Sequence, residues 1–122
     1  MIFRAVTLLL LSCLCAFNVE AQRPKNGHYK YAVAYWEWGS KPRGLTCDVI
    51  IKGDSVKVVH NGDPGMNGEK DQLIDEGLLL FHKKSGKWII GHTRDAAQAP
   101  KVGGCEEGPT VIDLKLKRVW LC

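Results

Sequence analysis

Beyond residue 27, hydrophobic and polar residues alternate along most of the chain, with the two-residue period of β-strands. Short segments that contain glycine, serine or proline interrupt this alternation, as turns do. The 3.6-residue period of an amphipathic helix is weak throughout. The pattern predicts an all-β fold: a small antiparallel meander of about seven strands that forms a sandwich or a partly open barrel.

The clearest element is a hairpin over residues 47–60. Gly53 and Asp54 suit a two-residue type II′ turn, whose twist matches that of the flanking strands. With Lys52 opposite Ser55, the pairing places aliphatic residues on one face and mostly polar residues on the other. The face predicted to point into the core consists of Val49, Ile51, Val56 and Val58.

A second hairpin is predicted over residues 78–92, around Ser85 and Gly86, with Lys84 opposite Lys87. Both of its faces are apolar, so both must be covered, either by the rest of the domain or by a ligand or partner. One face holds Leu79, Phe81, Trp88 and Ile90, and the other holds Leu78, Leu80, Ile89 and Gly91.

The two outer parts of the domain are less sharply defined. Residues 28–38, rich in tyrosine, valine and tryptophan, predict a first strand that ends before Pro42. Residues 111–122 alternate cleanly and then lose phase near Arg118, where no glycine, proline or asparagine marks a turn. This segment is therefore either a third hairpin or one long strand.

Residues 1–21 have the features of a secretory signal peptide. Arg4 precedes an apolar run over residues 5–17, and the small residues Val19 and Ala21 stand before a cleavage site at Gln22. The apolar run is shorter than the roughly 20 residues of a membrane-spanning helix. We therefore expect a secreted or periplasmic protein without a transmembrane segment, with a flexible arm over residues 22–27 and a single β domain over residues 28–122.

Three cysteines follow the leader, and an odd number in an oxidising compartment indicates one disulfide and one remaining thiol. If residues 111–122 double back, Cys122 returns beside Cys105 and the two form the bridge. If those residues form one strand, Cys47 is the natural partner of one of the others. We predict the Cys105–Cys122 bridge, which leaves Cys47 available to link two copies of the chain.

The net charge of +4 is modest, and removing the leader does not change it because Arg4 and Glu20 leave together. Nucleic-acid binders usually carry a much stronger positive charge, so no nucleic-acid partner is predicted. The distribution of charge is more informative than its sum. Basic residues gather in and beside the tight turns: Lys52, Lys57, Lys83, Lys84, Lys87, Lys115, Lys117 and Arg118.

Acidic residues gather in the two long connections, residues 61–77 and 93–109. In a meander, tight turns share one rim and long connections share the other, so the domain is predicted to be electrically polarised. Long loops are commonly functional, which makes the acidic rim the predicted binding surface. Its residues are Asp63, Glu69, Asp71, Asp75, Glu76, Asp95, Glu106 and Glu107.

No motif in the chain specifies a metal or a cofactor. Asp63, Asn67 and Gly68 match a helix-loop-helix calcium loop, but Gly65 and Ile74 occupy positions that need oxygen ligands. For zinc, the hairpin register places Cys47 opposite His60, with His92 as a more distant third candidate, and two ligands do not make a site. We predict neither a metal nor a cofactor.

The sequence offers little support for a catalytic function, because the chain lacks a nucleophile motif of the G-x-S-x-G type. The predicted function is therefore a small secreted binding module, inhibitor-like in size, that contacts another macromolecule through its acidic loops. One alternative is a barrel that binds a small apolar ligand against the hairpin of residues 78–92. Another is a small hydrolase or ribonuclease that uses His60 or His92 with a glutamate such as Glu107 and with Arg94.

Overall fold

The structure, a computed structural model, describes residues 23–36, 39, 41–105 and 108–122. The predicted leader, Trp38, Glu106 and Glu107 lie outside the described residues. Within the described ranges the chain forms seven β-strands and one short 3₁₀ helix over Arg94–Gln98. The strands are β1 (Gly27–Tyr35), β2 (Pro42–Lys52), β3 (Ser55–Val59), β4 (Leu73–His82), β5 (Lys87–Gly91), β6 (Thr110–Asp113) and β7 (Arg118–Leu121).

The seven strands form one sheet that closes into a barrel in chain order. Consecutive strands pair antiparallel, while β1 pairs with β7 in parallel from Ala32 opposite Arg118 to Tyr35 opposite Leu121. A meander with an odd number of strands ends in the direction in which it began, so a parallel pair has to close the ring. The all-β prediction is confirmed, and the ring is closed by this pair.

Side chains of the chain itself fill the barrel interior. Because side chains alternate between the two faces of a strand, every second residue points inward. The four aliphatic residues predicted for the core face of the first hairpin are all at most 1% exposed. Tyr31 and Trp88 add large rings to the same cluster, so the aromatic residues of β1 serve mainly as core.

Of the two hairpin turns predicted in detail, the first is confirmed and the second differs. Lys52 pairs with Ser55 as predicted, and Gly53 has the positive φ of 58° that a type II′ turn requires. In the second hairpin His82, rather than Lys84, pairs with Lys87, so the turn has four residues. The register moves by two residues, which leaves every side chain on its predicted face.

The third hairpin is present, and an aspartate marks its turn. Asp113 pairs with Arg118, and its Oδ1 accepts hydrogen bonds from the backbone N–H groups of Lys115 (2.9 Å) and Leu116 (2.7 Å). Lys117 completes the turn in the left-handed region, with φ of 52°. The fold-back places Cys122 beside Cys105, and the predicted disulfide is formed with a Cα–Cα distance of 5.3 Å.

The strands are strongly staggered, and β4 is longer than predicted. It begins at Leu73, pairs with β3 as far as Leu78, and pairs with β5 from Leu78 to His82. The first long connection is therefore shorter than the predicted residues 61–77. Asp75 and Glu76, expected in that loop, lie instead within β4.

One end of the barrel is closed by the loop of residues 60–72. Its base is fixed by two backbone bonds of 2.8 Å, from His60 N–H to Gln72 C=O and from Asp71 N–H to His60 C=O. Met66, 8% exposed, fills the opening and belongs to the core cluster. The hydroxyl of Tyr35 approaches the Met66 sulfur at 3.5 Å. These contacts hold the loop of residues 60–72 over that end of the barrel.

The N-terminal residues 23–26 lie across the opposite end. Arg23 donates a hydrogen bond to the Leu79 carbonyl at 3.1 Å, and its guanidinium lies 5.2 Å from the ring centre of Trp88. Asn26 Oδ1 accepts a hydrogen bond from the N–H of Gly53 at 2.8 Å. The residues expected as a polar arm are thus held against the barrel by these contacts.

The second long connection is described over residues 92–105 and 108–109, and its 3₁₀ helix lies on the outside of the barrel; we call these residues the cover segment. A Cβ atom on Gly91 would lie only 2.6 Å from that of Ala96, so the 3₁₀ helix packs directly on β5. The Ala99 carbonyl accepts a hydrogen bond from His82 Nε2 at 2.6 Å. Of the outward apolar residues, Ile89 is 0% exposed. The cover segment therefore departs from the predicted rim and covers the second apolar face of the β4–β5 hairpin.

Candidate functional site

The predicted acidic site is dispersed over the structure. Asp63 stabilises the loop of residues 60–72: its Oδ1 accepts a hydrogen bond from Gly65 N–H at 2.9 Å, and its Oδ2 accepts one from Thr46 N–H at 2.9 Å. The Thr46 hydroxyl adds a bond of 3.2 Å. These donors favour the ionised carboxylate and lower the pKa of Asp63 below its ordinary value of 3.8. Both carboxylate oxygens of Asp63 therefore accept hydrogen bonds within the protein.

Replacing Asp63 with asparagine is expected to lower the melting temperature at neutral pH, because the amide cannot accept from both N–H groups. The carboxylate has a lower pKa in the folded state, so its stabilisation is complete above the ordinary pKa and is lost as the pH falls through the lowered one. Thermal melts of the two proteins from about pH 7 to about pH 2 should converge at the acid end. A gap independent of pH would contradict this assignment.

Asp75 and Glu76 point to opposite faces of β4. Asp75 pairs with Val58, accepts a hydrogen bond from the Thr110 hydroxyl at 2.7 Å, and lies 3.3 Å from His92 Nε2. This carboxylate connects β4 to β6 beyond the end of β5. Glu76 is exposed opposite Lys57, a favourable cross-strand pair of opposite charges.

Among the other predicted acids, Glu69 and Asp71 are exposed on the loop of residues 60–72, and Asp95 is exposed on the 3₁₀ helix of the cover segment. Glu106 and Glu107 lie outside the described residues. Of the described acids predicted for this site, Glu69 and Asp71 lie exposed on the same loop, which also contains Asp63. That this loop binds a partner stays a prediction.

The histidines considered for catalysis have structural contacts. His60 is 3% exposed; its Nδ1 accepts a hydrogen bond from Gly62 N–H at 2.9 Å, and its Nε2 donates to the Met66 carbonyl at 3.1 Å. Both ring nitrogens are therefore committed to the loop. His92 is exposed beside Asp75, and Arg94 instead lies 3.6 Å from Asp54. The predicted histidine and arginine residues do not form one site.

Cys47 is the free cysteine of the described chain and is completely buried. Burial, with a smaller contribution from the Asp48 charge, raises the pKa of its thiol to about 12. A protonated thiol in the core is unreactive. The expectation that Cys47 links two copies through a disulfide therefore fails for the folded protein, since the sulfur does not reach the surface.

The proposed wall for an apolar ligand is also occupied. Leu79 and Ile90 point into the filled interior, and the cover segment lies over the other face of their hairpin. The structure thus supports coverage of this hairpin by the domain itself.

Neither a metal site nor a membrane-spanning helix is found in the described residues. No group of three or more histidine, cysteine, aspartate or glutamate side chains is arranged there to hold a metal ion. No helix in the described ranges has the length and apolar character needed to span a membrane.

Basic side chains, in contrast, are brought together at the ends of two adjacent hairpins. We call residues 83–87 of the β4–β5 hairpin and 113–117 of the β6–β7 hairpin the hairpin tips. Lys83, Lys84, Lys87 and Lys115 are exposed. Among the described residues, no carboxylate lies within 4.0 Å of their side-chain nitrogens. Their charges are therefore available to an external ligand.

A cleft of about 650 Å³ separates the two tips. It forms because β5 and β6 stay paired only from Ile90 opposite Thr110 to Trp88 opposite Ile112 and then diverge. Lysines enter it from both sides, Lys87 from one tip and Lys115 from the other. Its volume is within the range of small-ligand sites, about 300–1,000 Å³.

Apolar groups adjoin these charges. Trp88 and Trp120 line the cleft, although Trp88 is only 7% exposed and the Arg118 guanidinium lies 5.8 Å from the Trp120 ring centre. Leu116, at the outer tip, is 60% exposed. The tips therefore combine available positive charge with an exposed aliphatic side chain.

The sequence predicts the basic residues of this site but not its shape. The sequence predicts a cluster of lysines at the tight turns, but it does not predict the cleft, because the cleft depends on where two non-consecutive turns meet. Leu116 gave a weak signal of its own, as an apolar residue between Lys115 and Lys117 in a turn.

Comparison with protein-family models, with curated proteins and with solved structures finds no match to this chain.

Proposed function

We propose that this protein is an exported binding module that contacts a negatively charged partner through the hairpin tips. The observation that carries the proposal is the cleft between the tips, because lysines line it from both sides and, among the described residues, no carboxylate lies within 4.0 Å of their side-chain nitrogens. Unpaired like charges around a concavity attract anions and accelerate their association. The tips therefore replace the acidic loops as the proposed contact surface.

Export is supported by two independent features. Residues 1–21 have the pattern of a secretory leader. The Cys105–Cys122 disulfide is of a kind that forms and persists in oxidising compartments. A binding role rather than a catalytic one is supported by the structural engagement of both nitrogens of His60 and of His82.

The test is retention of the mature protein on a sulfated polysaccharide resin at low salt. A tip variant carries four Lys→Gln changes at residues 83, 84, 87 and 115. A matched control carries four Lys→Gln changes at the exposed residues 30, 57, 70 and 101. Both lose the same net charge, but only the first removes charge from the cleft. We expect the tip variant to bind at least about tenfold more weakly, and the control to behave like the wild type apart from the general loss of charge.

Equal weakening in the two variants would overturn the proposal, because net charge alone would then explain retention. The acidic-loop prediction is tested with a partner captured from the native exported fraction. Charge reversal by Glu69→Lys and Asp71→Lys would slow association if those acids form the contact. Slower association in that variant, with none in the tip variant, would also overturn the proposal and favour the loop of residues 60–72.

A further inference from the structure

We infer that the negatively charged partner of the hairpin tips is an anionic lipid bilayer, with a lipid headgroup in the cleft and Leu116 in the outer acyl region. This inference rests on the proposed function and specifies its partner. It starts from the position of Leu116, which is 60% exposed at the end of the β6–β7 hairpin.

The fold does not require an aliphatic residue at position 116. The Asp113 carboxylate and the left-handed conformation of Lys117 shape the turn, while Leu114 supplies its contact with the core cluster. Leu116 contributes its backbone N–H to this turn, and its side chain points to solvent. An exposed leucine at a convex tip gains free energy from burial only if the partner can receive it.

A bilayer receives such a residue without a matching pocket, because its acyl chains adapt to the inserted side chain. The flanking residues Lys115 and Lys117 then lie at the level of the anionic headgroups. This combination of a basic surface with a shallow apolar anchor is the usual arrangement of proteins that lie on membranes. A soluble polyanion would use the lysines but would leave Leu116 in water.

The cleft supplies the second contact. Lys87 and Lys115 line it from opposite tips, so a phosphate or carboxylate bound in the cleft would lie between two lysines. The Asp113 carboxylate also lines the cleft and accepts the backbone N–H groups of the turn through its Oδ1, so its negative charge offsets part of the positive charge of the two lysines. Trp88 and Trp120 provide an apolar lining for the glycerol part of a headgroup.

The experiment is co-sedimentation of the mature protein with vesicles of phosphatidylcholine alone or with about one third phosphatidylglycerol, at roughly 0.1 M salt. Leu116→Ser removes the proposed anchor. Leu73→Ser is its matched control, because Leu73 is the other large exposed aliphatic residue of the described chain, at 47%, and lies far from the tips at the start of β4. Circular dichroism melts verify that both variants remain folded.

We expect binding to anionic vesicles only, weakened roughly tenfold by Leu116→Ser and unchanged by Leu73→Ser. The four-lysine tip variant should lose about fivefold per lysine. Retention on the sulfated resin should not change in Leu116→Ser. Vesicle binding that is absent or insensitive to Leu116→Ser, with tip-dependent retention on the resin, would overturn the lipid inference and leave the proposed function standing. Tip-independent behaviour with both probes would overturn both.

Discussion

Replacing Cys105 and Cys122 together with alanine is expected to lower the free energy of unfolding by about 3 kcal/mol. The bridge joins residues 17 apart in the sequence. Without it, the unfolded chain gains the conformational entropy of an open loop, and the end of the cover segment is no longer tied to β7. Urea unfolding followed by tryptophan fluorescence measures the change.

The same variant should expose apolar surface, because the cover segment lies over Ile89 and the outer face of the β4–β5 hairpin. We expect increased binding of a hydrophobic dye at low denaturant. Treatment of the wild type with a thiol reductant is the matched comparison: it should reproduce the loss of stability, while the alanine variant should not respond. A wild type that is equally stable with and without reductant would contradict the prediction.

The sequence predicted the fold where local patterns determine it. The turn at Gly53 and Asp54 fixed a register that the structure reproduces pair for pair. The second hairpin was predicted with a two-residue turn, yet its four-residue turn left the buried faces unchanged because the error was an even number of residues. The alternation of hydrophobic and polar residues therefore predicts the buried face of a strand more reliably than the turn residues predict the register of a hairpin.

The paths of the long connections could not be predicted, because they depend on tertiary contacts. Nothing local indicates that Asp63 accepts a hydrogen bond from Thr46, or that the Ala99 carbonyl accepts one from His82. The described acidic residues predicted to share one rim therefore lie in different parts of the structure. Asp113 begins the third turn, and aspartate is favoured at the first position of a turn. This residue therefore indicates a third hairpin rather than one long strand.

The positions of the basic residues were more predictable than those of the acids. A lysine in a tight turn stays in that turn whatever the register, since a hairpin turn must project from the end of its sheet. The acids lay in long segments, which are free to plug an end of the barrel or to cross its outer face. This difference explains why the tip lysines lie on neighbouring hairpins, whereas the described acids predicted for one rim lie on the loop of residues 60–72, on β4 and on the 3₁₀ helix.

The second large effect is expected at His60, whose replacement with alanine should destabilise the protein by about 3 kcal/mol. The ring connects Gly62 N–H to the Met66 carbonyl within a buried site. Its removal leaves one donor and one acceptor without their partners and opens a cavity beside Met66, which fills that end of the barrel. Chemical denaturation gives the change in free energy, and hydrogen exchange should show faster opening of residues 60–72.

His92→Ala is the matched control, because His92 is exposed and its loss should change stability by no more than about 0.5 kcal/mol. The comparison also separates a structural role from a catalytic one. If His60 were a catalytic base, its replacement would abolish turnover on generic ester or ribonucleotide substrates while leaving the melting curve near that of the wild type. Since both of its nitrogens are hydrogen-bonded to the backbone, we expect His60→Ala to cause a large loss of stability instead.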